Sequence, residues 1–198
     1  HLQLGHLYLT EVDYRDFSKS EHHLKEALNL QHEDDTVRRG VAPEAQTMLG
    51  ALYINQNRYH DAVKVLNEAI SDVNNSQPHY AWGNLGWAYF ENQHYDKAEK
   101  ALKRAVQLQP RFCVGYYRLG QTYVALKNYE QAEQAVSHAI ESDVRCAKVF
   151  QEAWQLRGEI RAELGHRDEA INDFERCVEI SKQTPAGKSC QRYLEASQ

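Results

Sequence analysis

Apolar residues recur at three- and four-residue intervals through most of this 198-residue chain, in paired stretches of about 14 residues. Runs of alternating β-branched residues are missing, so the pattern predicts amphipathic helices joined in hairpins. The paired stretches also repeat. The clearest copy has Trp82, Leu85, Gly86 and Tyr89, then Ala98, Leu102 and Ala105, closing on Pro110. The next has Tyr116, Leu119, Gly120 and Tyr123, then Ala132, Val136 and Ala139. Before them stand Leu49, Gly50 and Tyr53 with Ala62, Leu66 and Ala69. A fifth copy has Trp154 and Gly158 with Ala170, Phe174 and Cys177, and the first has Leu4, Gly5 and Tyr8 with Ser20, Leu24 and Ala27. From Gly50 to Ala69, Gly86 to Ala105, Gly120 to Ala139 and Gly158 to Cys177 the distance is always 19 positions, and from Gly5 to Ala27 it is 22. A small residue at each of these points is where two helices approach closely. One hairpin cannot bury both of its faces, so neighbours must stack.

Departures from the period locate the connections. Successive glycines lie 45, 36, 34 and 38 positions apart. A three-residue extension is therefore expected near Asp16 to Lys19, a long connection from Glu33 to Pro43, and an inserted loop from Ser142 to Lys148. In the fifth copy Arg157 and Arg161 occupy positions that are Leu and Tyr elsewhere, which predicts a weakened apolar face. Thr184 followed by Pro185 reads as an N-cap with proline at the first helical position, opening a closing helix through Leu194. The expected architecture is all-α and one domain, residues 1–198. Its repeats fall at about 1–32, 43–74, 79–110, 113–144 and 151–182, with a capping helix at about 185–195.

On these residues the chain resembles the tetratricopeptide-repeat (TPR) family, and the resemblance covers essentially residues 1–182. It implies a solenoid whose first helices face a concave groove through their positions 2, 5, 9 and 12. Mapped here, these are Thr47, Ala51 and Ile54, then Tyr80, Gly83, Trp87 and Phe90, then Val114, Tyr117, Gln121 and Val124. The implied groove is apolar and aromatic, fit to anchor an apolar segment of a protein partner, although Trp87, Phe90 and Tyr117 could also serve as packing between curled helices. Asn84 and Arg118 share position 6, where an amide can bond a peptide backbone and a guanidinium can pair with a carboxylate. With Thr47, Ala51 and Val114 at the neighbouring positions, only two of the five residues of a chaperone-tail clamp are present. Chaperone-tail binding is not expected.

Charge and composition narrow the function further. A net charge of −5 with interleaved acids and bases gives no support for a nucleic-acid partner. No apolar stretch approaches the roughly 20 residues that span a bilayer. Ten scattered histidines offer no pair spaced for a zinc protease, and there is no phosphate loop and no Gly-x-Ser-x-Gly. No cofactor, metal or enzymatic activity is expected. The four cysteines form no Cys-x-x-Cys pair. The repeat map sets Cys177 beside Cys190 and Cys113 beside Cys146 as candidate disulfides; the alternative is four reduced, buried thiols.

A narrower resemblance rests on Ala81-Trp82-Gly83-Asn84-Leu85-Gly86-Trp87-Ala88-Tyr89, on Pro110-Arg111-Phe112-Cys113-Val114-Gly115-Tyr116-Tyr117, on Ala69-Ile70-Ser71-Asp72 and on the Cys-bearing terminal segment. These runs are similar to the outer-membrane lipoproteins, or pilotins, that assemble the type IV pilus secretin. That resemblance implies a lipid anchor and signal peptide upstream of His1, the periplasmic face of the outer membrane, oxidised cysteines, and a secretin monomer as partner. The chain begins without Met, consistent with a processed or trimmed start. The alternatives are a cytosolic adaptor or co-chaperone docking short peptides, and a regulatory TPR module of a larger protein.

Overall fold

The computed structural model describes residues 1–4, 6, 16–31 and 41–196. The expectations resting on Gly5, Tyr8 and residues 33–40 lie outside the described residues. All regular structure among the described residues is helical: α1 Phe17–Gln31, α2 Val41–Asn55, α3 Tyr59–Ser71, α4 Pro78–Glu91, α5 Tyr95–Leu108, α6 Cys113–Ala125, α7 Tyr129–Glu141, α8 Val144–Val149, α9 Gln151–Glu163, α10 Arg167–Ile180 and α11 Pro185–Ala196. The helices group into two compact units, His1–Leu108 and Gln109–Gln198.

The repeated glycine explains the hairpins. A methyl group added to Gly50 would meet Leu66 Cγ at 2.4 Å, at Gly86 it would meet Leu102 Cγ at 2.5 Å, at Gly120 Val136 Cγ2 at 2.3 Å, and at Gly158 Phe174 Cε1 at 2.6 Å. In each case the large residue lies 16 positions after the glycine, on the second helix of the same hairpin. The missing side chain is the space into which that residue packs. Each turn then reverses through one left-handed residue seven positions after the glycine: Asn57 (φ 59°), Gln93 (φ 60°), Lys127 (φ 59°) and Gly165 (φ 81°). The amide that follows folds back onto the first helix, from Arg58 to the Tyr53 carbonyl (2.8 Å), His94 to Tyr89 (2.8 Å), Asn128 to Tyr123 (2.9 Å) and His166 to Arg161 (2.8 Å). This closure satisfies carbonyls that the helix end would leave unpaired.

In unit 1, α1 packs on α2, the α2–α3 hairpin on α4, and α4 on α5. Its core centres on Leu24, Leu49, Leu52, Leu66 and Leu85, with Trp82, Trp87 and Tyr89 against it. In unit 2, α6 pairs with α7 and α9 with α10, and α11 covers α10 and α9. There Phe174, Cys177 and Cys190 are buried together, with Trp154 and Leu194 against them.

Two connections differ from expectation. Residues 17–19, expected as part of an extension, are the first turn of α1, because Asp16 takes the Lys19 amide on its carboxylate (3.0 Å) and so starts the helix. The insertion at Ser142 to Lys148 folds as α8, capped by Asp143 accepting from the Arg145 amide (2.8 Å). The Arg145 side chain and amide hold the Asp143 carboxyl down at about 2. The closing helix runs from Pro185 to Ala196, within a residue of the expected 185–195, and its N-terminus is capped as expected: the Thr184 hydroxyl accepts from the Gly187 amide (3.0 Å) and Pro185 takes the first position.

Replacing Gly86 by Ala is expected to destabilise unit 1. Overpacking against Leu102 and the Ala98 carbonyl oxygen at 3.2 Å costs about 1–3 kcal/mol, while the gain in helix propensity returns only about 1 kcal/mol. Urea unfolding followed by circular dichroism measures the difference, and a Leu102→Val background should shrink it. A Gly86→Ala protein as stable as wild type in both backgrounds would refute the contact as the cause.

Candidate functional site

The residues expected in the groove fall in both units. In unit 1, α2 and α4 with the connection before α4 form a cleft of about 330 Å³. Thr47, Ala51, Tyr80 and Asn84 line it, together with Glu44, Met48, Asn75 and Gln77. Tyr80 is 46% exposed there, its ring against His79. The Thr47 hydroxyl donates to the Pro43 carbonyl (2.6 Å). Trp87 and Phe90 stand outside the cleft and stack on each other (centroids 4.8 Å apart, planes at 10°), with Phe90 also against Tyr95. Both rings are half-buried. Ile54 is 8% exposed and belongs to the core of unit 1, so it offers no groove surface.

In unit 2, Tyr117 lies on the Phe150 ring (4.8 Å). Gln121 Nε2 donates to the Tyr117 hydroxyl at a long 3.4 Å, and its Oε1 is buried without a donor. Val114 is 42% exposed and Arg118 half-buried. Val124 lines a cleft of about 250 Å³ with Tyr129, Leu156, Glu159, Ile160, Ala162, Glu163 and Tyr193. Applying positions 2, 5, 9 and 12 to the fifth repeat gives Glu152, Gln155, Glu159 and Ala162. The same rule that selected Tyr117 would have found them, and they add carboxylates to a face expected to be apolar. Burial, with the Glu152 and Glu159 carboxylates, pushes the Tyr117 phenol up to about 12. Burial and Glu159 also raise Tyr193.

Arg157 and Arg161 do not simply weaken α9. Arg157 is buried, donates to both Asp173 oxygens (2.9 and 2.7 Å), and reaches Ser137 and Glu141 on α7. Arg161 donates to Glu133 (2.8 Å) and to Asp173 (2.9 Å). Asp173, itself 2% exposed, is the partner that sequence reading overlooked. One carboxylate on α10 thus holds two guanidiniums of α9, which in turn grip α7. The Arg157 guanidinium also covers the Trp154 ring (4.8 Å).

Cys113 is joined to Cys146 and Cys177 to Cys190, with Cα atoms 6.5 and 6.3 Å apart. The first bond ties the start of α6 to α8, and the second ties α10 to α11. Among the described residues no group of three or more His, Cys, Asp or Glu is placed to hold a metal ion, and no helix is long and apolar enough to cross a membrane.

Repeated hairpins with this glycine contact and turn define a tetratricopeptide-repeat protein, a fold that serves as a protein-interaction scaffold. A tetratricopeptide-repeat profile matches residues 151–184. The family described as Cilia and flagella-associated protein 70 C-terminal domain matches residues 17–149, and the chain belongs to it. Comparison with curated protein sequences finds no match. Similar solved structures include MamA (25% identity, 89% of this chain and 94% of that one, TM-score 0.66). PilW, described as a widely conserved type IV pilus biogenesis factor, is similar at 17% identity (96% and 80%, TM-score 0.77). PilF of Pseudomonas aeruginosa is similar at 14% (98% and 80%, TM-score 0.74). At such identities PilW and PilF share the fold alone.

Two outcomes follow from this geometry. Removing Asp173 by substitution with Ala leaves two guanidiniums without their shared partner and is expected to cost about 3–5 kcal/mol, read from denaturant unfolding. A triple change of Arg157→Leu, Arg161→Tyr and Asp173→Ala should recover most of that loss, and failure to do so would mean the arginines do more than replace apolar packing. The Tyr117 phenol, with its folded value above its unfolded one, contributes stability that is whole below about pH 10 and lost as pH rises through about 12. A phenolate absorbance titration should show a late-ionising phase, to which Tyr53 and Tyr193 also contribute, that Tyr117→Phe reduces at its high-pH end; an unchanged late phase would assign it elsewhere.

Proposed function

We propose that this scaffold is a pilotin-type protein: tethered by a lipid upstream of His1 on the periplasmic face of the outer membrane, it holds a secretin monomer before assembly of the type IV pilus secretin. The observation that carries the reading is the pairing of all four cysteines in two disulfides. Disulfides persist in oxidising compartments and are rare in the cytosol. The local runs around Trp82 to Tyr89 and Pro110 to Tyr117 support it, as does a fold shared with PilW and PilF. The two clefts and the Trp87–Phe90 and Tyr117–Phe150 pairs supply surfaces on which an unassembled segment can be sheltered.

A cytosolic adaptor is the second reading, favoured by membership in a family named for a cilia- and flagella-associated protein. Thiol chemistry separates the two. Protein taken from its native cells under acid quench and alkylated without reductant should gain no label, and should gain four labels after reduction. Four labels without reduction would sink the periplasmic reading. Pull-down from solubilised envelopes should recover a secretin with the wild-type chain. A Trp87→Ala variant, still helical by circular dichroism, should lose affinity by about 2 kcal/mol or more. Recovery of no secretin by the wild type would overturn the pilotin assignment.

A further inference from the structure

The helix α9 separates its charges. Its arginines, Arg157 and Arg161, turn toward α7 and α10 and are consumed by Asp173, Glu133 and Glu141. Its acids Glu152, Glu159 and Glu163 stand at i, i+7 and i+11, on one helix face. Among the described residues none of these three carboxylates has an ion pair. Glu159 accepts instead from neutral groups, Gln155 Nε2 at 2.7 Å and the Tyr193 hydroxyl. Glu159 and Glu163, one turn apart, repel each other, an arrangement that costs an isolated helix stability. Arg192, near Tyr193, is the cation felt on the α11 side.

This face is also shaped. Glu159 and Glu163 stand at a cleft of about 250 Å³ whose walls include Val124, Leu156 and Ile160. Two turns of α6 away from Val124, Tyr117 and Phe150 add an aromatic surface within reach of Glu152 and Glu159. Beside them Gln121 Oε1 is a buried acceptor without a donor, an arrangement rare in folded proteins. Its amide is held by one long bond at 3.4 Å. A cleft lined by both apolar side chains and carboxylates matches a lysine or arginine side chain, whose aliphatic stem is apolar and whose head is a cation. Aromatic faces beside it attract the same cation.

We infer that the face of unit 2 built by α6, α9 and α11 binds a lysine- or arginine-bearing segment of the partner protein, the stem seated by Val124 and Leu156 and the cation held by Glu159 and Glu163. The inference rests on reading this face as part of the partner-binding surface. An apolar client without a basic residue would leave the three carboxylates facing it uncompensated.

The test is a titration of the full chain with two fluorescein-labelled octapeptides, one alternating lysine with leucine and one alternating glutamate with leucine. The lysine peptide should bind and the glutamate peptide should not. The triple variant Glu152→Gln, Glu159→Gln, Glu163→Gln should weaken the lysine peptide at least about tenfold, with a melting temperature no lower than wild type. A control triple of exposed acids elsewhere, Glu91→Gln, Glu130→Gln and Glu175→Gln, changes net charge equally and should weaken it less than about twofold. Equal weakening by both triples, no weakening by the first, or equal binding of the two peptides overturns the inference. Secretin pull-down is read separately. If the wild type captures none, the pilotin assignment falls while the peptide titration still decides this site.

Discussion

The close approach of two helices at a residue without a side chain is the constraint from which the rest of this structure follows. Gly50, Gly86, Gly120 and Gly158 each admit a large residue from the returning helix, at distances no other amino acid would allow. Because that residue is always 16 positions later, the turn between must reverse the chain in a fixed number of residues. A left-handed residue seven positions after the glycine does so, at Asn57, Gln93, Lys127 and Gly165. Three of these four bear side chains in a conformation that favours glycine, which shows that the helix contact dictates the turn rather than the reverse. Once the hairpin is closed, the first helix has one face given to its partner.

The fifth repeat meets the same constraint with different chemistry. Gly158 still receives Phe174, yet the positions that hold Leu and Tyr elsewhere hold Arg157 and Arg161. Burying the Arg157 guanidinium and partly burying that of Arg161 is costly unless the donors find acceptors. Asp173, Glu133, Ser137 and Glu141 provide these acceptors from the flanking helices. The exchange has a geometric consequence. Ion pairs fix direction where apolar packing does not, and they hold α9 with its acids turned away from the cluster. The Cys177–Cys190 bond and the α11 cap restrain the other side of the same hairpin. In the chain-entropy view, closing loops of 13 and 33 residues stabilises by about 3–4 kcal/mol each.

What could be read in the sequence was set by periodicity. Hairpins, glycine contacts, the Thr184–Pro185 cap and the candidate cysteine pairs all follow from spacing, which is a property of the chain before it folds. Connections were less legible, because Asp16 and Asp143 start helices through local bonds that spacing does not report, so α1 begins earlier and α8 is a helix rather than a loop. The Arg157 cluster was invisible because Asp173 sits among solvent-facing acids of α10, and only the packed structure distinguishes it. Groove membership was partly legible. Thr47, Tyr80, Asn84 and Val124 do line clefts, whereas Ile54 is absorbed into the core, since the helix position that faces outward in one repeat can turn inward in another.

Charge placement in unit 2 carries the functional argument furthest. A net acidic chain could spread its carboxylates evenly over solvent faces at little electrostatic cost. Here three on α9 share one side, close to a phenol that burial, with Glu152 and Glu159, pushes up, while the nearest arginines on the same helix point elsewhere. Such a field reaches outward by about a Debye length, roughly 8 Å at physiological salt, far enough to orient an approaching segment before contact. The apolar walls of the cleft then act only at contact distance. In the proposed site, long-range selection by charge would be followed by short-range burial, and neither step would require the bound segment to present a finished surface.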